Sequence, residues 1–164
     1  MGRVYNALDV SRYVINYSND KGYDISNLKL QKLLYFIQAY FLIKSKGKRP
    51  CFDDRIEAWD FGPVVPSVYH EYKRYASMNI PASSYYYEVD DTNIWNIEKK
   101  DIDLNNITDD DKQLIENIVD SFSNYSASNL VQITHKQAPW QNAYQPHMNN
   151  EITVKGIWDY FNER

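Results

Sequence analysis

Apolar positions run densest between Ser26 and Gly47, SNLKLQKLLYFIQAYFLIKSKG, and their spacing there is helical rather than alternating. Leu30, Leu33, Leu34, Ile37 and Phe41 share one face, while Phe36, Ala39, Tyr40 and Ile43 spread apolar character around most of the rest. A helix apolar nearly all round is a buried one. The pattern therefore predicts one long buried central helix with the other elements wrapped around it. Ser26 suits its N-cap, where a hydroxyl accepts from a free N–H of the first turn, and Gly47 suits a left-handed C′. The apolar run from Leu33 to Ile43 is broken by Gln38 and is far short of the ~20 residues that span a bilayer.

Before this stretch, Asn6 caps a first helix whose apolar positions are Leu8, Val14, Ile15 and Tyr17, ending near Gly22. Ile25 falls at N′ of the central helix, placed to staple its first turn. The short join predicts a helical hairpin. After it, KGKRPCFDD is polar and breaks helix at Gly47 and Pro50. Ile56 and Ala58 then alternate with Glu57 and Trp59 as in a short strand, Gly62-Pro63 predicts a turn, and Pro66 suits N1 of a helix reaching about Ala76.

From Ser77 to Asn106 the periodicity loosens. Tyr85-Tyr86-Tyr87 reads as a short strand or an exposed aromatic ledge, and Ile94 to Ile97 as a further strand. Thr108 opens a helix through Ile115, Ile118 and Phe122, with Asp109 to Asp111 at its positive end. Ser126 caps another that reaches about His135, Pro139 closes the segment after it, and Thr153 caps a last short helix carrying Ile157, Tyr160 and Phe161. The sum is a mainly α fold, a compact single domain over 1–164, with a small β element.

Composition agrees with a globular chain: 43% hydrophobic and 24% charged residues over 164 positions. One cysteine, Cys51, allows no internal disulfide, and no charged-then-apolar leader opens the chain, so a cytoplasmic setting is expected. The net charge of −4 disfavours bulk nucleic-acid binding. The charges are unevenly spread. Lys29, Lys32, Lys44, Lys46, Lys48 and Arg49 face no acid between Asn27 and Cys51. Asp90, Asp91, Glu98, Asp101, Asp103 and Asp109 to Asp111 outweigh Lys99 and Lys100 further on.

Candidate chemistry is sparse. His70, His135 and His147 lack the HExxH or CxxC spacing that puts ligands together, and no glycine-rich phosphate loop occurs. Cys51 sits among basic residues that would lower its pKa, without a nucleophile signature around it. Asp53-Asp54 and Asp109 to Asp111 read as turn and helix-start residues. No catalytic residue, metal or cofactor is expected. Lys32, on the opening turns of a buried helix, is expected to snorkel to water.

Three stretches carry a resemblance: Leu30-Gln-Lys-Leu-Leu-Tyr35, Glu57-Ala-Trp-Asp-Phe-Gly-Pro-Val-Val-Pro66 followed by Tyr69, and Thr134-His135 followed by Pro139-Trp140. In this order and over nearly the whole chain they resemble the Panacea domain, the SocA-like or GepA-like domain of bacterial and phage genomes. The resemblance implies an antitoxin that neutralises a toxin, commonly encoded beside it, by direct protein contact. Many relatives add a DNA-binding domain for which this chain has no room. Its rival is a prophage-encoded adaptor that hands a bound protein to a host protease or modulates a host factor. Leu30, Leu33, Leu34, Tyr35, Gly62, Pro63 and Pro66 are expected to define the fold. Trp59, Tyr69, His135 and Trp140 either line a common partner groove or pack in the core. Tyr85, Tyr86 and Tyr87, with the acidic Asp90 to Asp111 segment, are the expected variable contacts.

Overall fold

The longest helix, α2 (Asn27–Lys44), carries the dense apolar run and buries it nearly all round: Leu30, Leu33, Leu34, Tyr35, Ile37, Ala39, Phe41 and Leu42 are shut off from solvent. In the computed structural model, which describes residues 2–163, five helices pack against it. They are α1 (Ala7–Asp20), α3 (Pro66–Tyr72), α4 (Asp109–Ser121), α5 (Ala127–His135) and α7 (Val154–Phe161). A short helix, α6 (Ala138–Ala143), packs on α7 and α5. The fold is mainly helical.

Local chemistry sets the helix starts. Asn6, Ser26, Thr108, Ser126 and Thr153 each accept a backbone N–H from the first turn of the helix they precede, and Asn129 answers Ser126 to complete a capping box. The end of α2 differs from expectation. Lys46 N–H bonds the Ile43 carbonyl and Gly47 N–H the Leu42 carbonyl, a Schellman closure with Lys46 at C′ (φ 54°) and Gly47 one residue beyond (φ 80°). The Trp158 ring lies against Gly47, where a Cβ would come within 2.9 Å of it.

The β structure has two parts. A three-stranded antiparallel sheet runs in the order β2 (Gly62–Val64), β1 (Ile56–Trp59), β5 (Glu151–Ile152), and β2 packs on α2 and α5. A separate hairpin joins β3 (Tyr85–Asp90) to β4 (Asn93–Asp101). Two expectations are corrected. Gly62-Pro63 lies inside β2, because Trp59 pairs with Gly62 and leaves Asp60-Phe61 as the two-residue loop. Pro139 does not close a segment but occupies the first turn of α6, where its missing N–H leaves nothing unsatisfied.

Long-range polar bonds tie the layers. Tyr17 and Tyr23 hydroxyls both donate to Asp120, and the Tyr13 hydroxyl to Glu116, so three tyrosines fasten the region of α1 to α4. Arg49 grips Asp111 through both guanidinium nitrogens, at 2.9 and 3.1 Å, and the Tyr5 hydroxyl donates to the same carboxylate. Burial alone would raise the Asp111 carboxyl. Its bonds from Arg49 and Tyr5 outweigh that and hold it below the usual range. Arg49 of the basic stretch and Asp111 of the acidic stretch thus meet as one largely buried ion pair, while most other charges of both stretches stay exposed.

Candidate functional site

β1 and β2 form a short hairpin whose tip, Asp60-Phe61, stands at the surface with the Phe61 ring 66% exposed. One flank opens into a groove of about 490 Å³ walled by Asn27, Leu28 and Gln31 of α2, Trp59 and Val64 of the hairpin, Tyr69 of α3, and Met148. Trp59 and Tyr69 meet edge to face, ring centroids 5.0 Å apart, and the Trp59 indole N–H donates to Glu57 at 2.9 Å. Ala76 and His147 also line this groove with positive φ, 51° and 63°. Non-glycine residues held there mark strained backbone, which clusters at binding surfaces.

On the other flank of the tip, His135 stacks on Trp140 and Trp140 on Tyr144, centroids 4.1 and 4.5 Å apart. The stack holds the tip by three bonds: His135 Nε2 to the Asp60 carbonyl, Trp140 Nε1–H to the Trp59 carbonyl, and the Tyr144 hydroxyl to Asp60 Oδ1. His135 and Trp140 therefore do not share a groove with Trp59 and Tyr69. They brace the hairpin from behind.

Beneath the hairpin, α2 supplies the polar groups the edge strand needs. Lys32 is 0% exposed, and its Nζ donates to the Pro63 carbonyl at 2.9 Å. The expected snorkelling does not occur, because the side chain runs inward under Gly62, where a Cβ would sit 2.7 Å from Lys32 Cε and 2.8 Å from Thr134 Oγ1. Desolvation pulls the Lys32 amine down to about 7. Next to it, Gln31 Oε1 accepts from Val65 N–H, its Nε2 donates to Asn27 Oδ1, and Asn27 Nδ2 donates to the Tyr69 carbonyl. Further along, Gln38 accepts from Cys51 and Phe52 N–H and donates to the Phe52 carbonyl. The Tyr35 hydroxyl donates to Gln137. Leu30, Leu33, Leu34 and Pro66 serve the core and the start of α3.

Tyr85, Tyr86 and Tyr87 open the β3–β4 hairpin, away from the groove. Tyr86 lies under the Arg12 guanidinium, 3.8 Å from ring centroid to Cζ, while Tyr85 and Tyr87 point toward solvent with their rings edge to face. Val89 pairs with Ile97, and both are exposed, as are Ile94 and Trp95 beside the turn. Residues of α3 separate the two surfaces: Tyr69 faces the groove, and Glu71 and Tyr72 face the cleft behind the tyrosines.

Cys51 is buried, and burial pushes its thiol well above the ordinary range despite Arg49 nearby, the reverse of the lowering its basic neighbours suggested. Among the described residues no group of three His, Cys, Asp or Glu side chains could hold a metal ion. Lys32 and Gln31 carry the polar link beneath the hairpin, and no local signal distinguishes them from surface residues on an ordinary helix.

Residues 30–141 match the family described as "Antitoxin SocA-like, Panacea domain". Over 45 residues the chain is 60% identical to "Antitoxin SocA" of Caulobacter vibrioides (strain NA1000 / CB15N), which covers 27% of this chain and 23% of that protein. The match therefore spans under a quarter of that relative's length. No solved structure matches the chain.

Proposed function

We propose that this chain, which belongs to the antitoxin SocA-like, Panacea domain family, is the antitoxin of a toxin–antitoxin pair and neutralises its toxin by direct protein–protein contact. Family membership carries the reading. The chain is taken as one binding unit over 1–164, built around α2 and acting in the cytoplasm, and no described helix is long and apolar enough to cross a membrane. The contact residues are drawn from Trp59 and Tyr69 in the groove and from Tyr85, Tyr86 and Tyr87 on the distal hairpin, with His135 and Trp140 holding the groove's rim in place. Aromatic side chains with polar edges are the usual energetic centres of interfaces.

A second reading, an adaptor that presents a bound protein to another protein such as a host protease, draws on one observation. The two exposed aromatic surfaces lie on opposite sides of α3, which leaves room for two partners at once. Both readings are non-enzymatic, and a Cys51→Ala variant that folds is expected to keep full biological activity.

Growth decides between them. Each neighbouring open reading frame is expressed alone and then with this protein, and any toxic product is used as bait. Toxicity relieved together with a stable co-purified complex supports the antitoxin reading. Relief that requires a third protein in the complex moves the adaptor ahead, and the absence of any toxic neighbour removes the antitoxin.

A further inference from the structure

The β3–β4 hairpin exposes the apolar side chains that a folded protein ordinarily covers. Tyr85, Tyr87, Val89, Ile94, Trp95 and Ile97 are all exposed, Trp95 to 87%. Register explains part of this. Tyr85 pairs with Asp101, Tyr87 with Lys99 and Val89 with Ile97, so the odd-numbered residues share one face. Tyr86 docks under Arg12, which fixes the hairpin to α1, while Tyr85, Tyr87 and Val89 remain exposed beside the cleft. The turn is also organised, since Asp90 accepts from both the N–H and the hydroxyl of Thr92. A cluster of exposed apolar side chains on an anchored, ordered hairpin marks an interaction surface.

The charges around that surface say what it takes. Glu88, Asp90, Asp91, Glu98, Asp101 and Asp103 surround it, and the only bases in this stretch, Lys99 and Lys100, are engaged within the hairpin. Lys99 Nζ lies 4.2 Å over the Tyr85 ring, and Lys100 pairs with Glu88 at 3.1 Å. An unmatched acidic rim repels a nucleic acid and an anionic lipid surface. It also opposes a second copy, which would bring acids against acids.

We infer that this hairpin is the primary toxin-recognition element, and that it takes a partner surface rich in Arg and Lys around an apolar recess that receives the Trp95 indole. Tryptophan is enriched among binding hot spots that sit in desolvated recesses, and the acidic rim would steer the encounter. The identity of the partner as a toxin rests on the antitoxin reading. The chemistry of the surface does not.

The test uses the full chain and the purified toxic neighbour identified by co-expression, with association followed by biolayer interferometry. Trp95→Ala is expected to weaken binding by about tenfold or more, mainly through faster dissociation. Asp91→Lys with Glu98→Lys is expected to slow association about tenfold at low salt, with the difference closing as salt is raised. Val154→Ala, at an exposed position of α7 that lines neither surface, leaves both rates near those of the parent chain. If the toxin binds all the hairpin variants as it binds the parent, the inference fails while the antitoxin reading stands. If no neighbour is toxic, the antitoxin reading fails, and a Lys/Leu amphipathic peptide becomes the probe, read by the Trp95 indole N–H resonance. Peptide-induced shifts centred on Trp95 and lost in the charge-reversed variant uphold the surface chemistry. Shifts elsewhere, an unchanged spectrum, preferential binding of phosphatidylglycerol vesicles, or concentration-dependent dimerisation through the hairpin overturn it.

Discussion

The segment where α2 meets the β1–β2 hairpin and the β3–β4 hairpin are opposites in how they treat polarity. In the first, Gln31, Lys32 and Gln38 lie buried in the longest helix of the protein, and each reaches a backbone group of a distant segment. In the second, Trp95, Ile94 and Ile97 lie in water while no described residue covers them. A buried polar group must be bonded or it destabilises the fold, so the first region is committed to one arrangement. An exposed apolar group contributes little to the fold, so the second is free to serve a partner. Substitutions should therefore separate them: large losses of stability in the first, almost none in the second.

The largest effect is expected at Gln38. Its amide serves two N–H groups and one carbonyl in the Cys51-Phe52 segment, all buried. Gln38→Met keeps the length and removes the amide, leaving those groups unsatisfied. At about 1–3 kcal/mol for each stranded group, a loss of about 3–5 kcal/mol follows. Chemical denaturation measures it, and a loss under about 1 kcal/mol would mean that the backbone finds other partners and that the polar commitment is weaker than the geometry implies.

Gly62→Ala comes next. The residue has φ 102°, and an added Cβ lands 2.7 Å from Lys32 Cε. Left-handed strain of about 1–2 kcal/mol adds to overpacking of about 1–3 kcal/mol. Because Lys32 is held at its tip by the Pro63 carbonyl, it cannot swing away without breaking that bond. The double variant Gly62→Ala with Lys32→Ala tests this directly. It should lose less than the sum of the two single changes, since removing the lysine opens the space the methyl needs.

What was legible in the chain follows the same division between near and far. Caps at Asn6, Ser26, Thr108, Ser126 and Thr153 could be read because a capping bond joins residues two or three apart. Gly62-Pro63 read as a turn because those residue types favour one locally. It is strand because its partners are Glu57 to Trp59 on one side and Lys32, 31 residues away, on the other. Lys32 itself looked like a surface lysine, and only the carbonyl it meets makes it a core residue. Trp59 and Tyr69 meet in one groove. His135 and Trp140 were grouped with them by residue type, and nothing in their spacing shows that α5 and α6 place them behind the hairpin tip rather than in the groove. The strands of the outer hairpin read only as the short pieces Tyr85 to Tyr87 and Ile94 to Ile97, because a sheet so largely exposed lacks the in-out alternation that burial imposes.

Lys32 also gives the committed region a pH signature. Its folded-state pKa, about 7, lies below the 10.5 of the free amine, so the unfolded chain holds the proton more tightly. Between those values unfolding takes up a proton. Stability therefore rises with pH across the window by up to about 1.4 kcal/mol per unit, and is flat from this source below about 7. Lys32→Met removes the slope while leaving every other titrating group in place. Denaturation midpoints of the two proteins at pH 6, 7.5 and 9 should diverge, the parent gaining on the variant as pH rises. Parallel curves would show that water or a rearrangement reaches the amine in the folded state.

The smallest expected effect on stability lies in the outer hairpin, and it is the one that sharpens the contrast most. Trp95 is the largest side chain type in the protein and is 87% exposed, so replacing it with Ser removes almost no buried area. The hairpin's attachment is made elsewhere, by Tyr86 under Arg12 and by the two bonds between the Asn16 amide and the Ser83 backbone. Trp95→Ser should then shift unfolding by less than about 0.5 kcal/mol, the range of an ordinary surface change. Tyr86→Ser, on the docked face of the same hairpin, should destabilise by more, because it releases the contact with Arg12. If Trp95→Ser instead lowers stability by as much as Tyr86→Ser, the indole must be packed against the body of the protein, and the exposed face would be part of the fold rather than a surface held open for a partner.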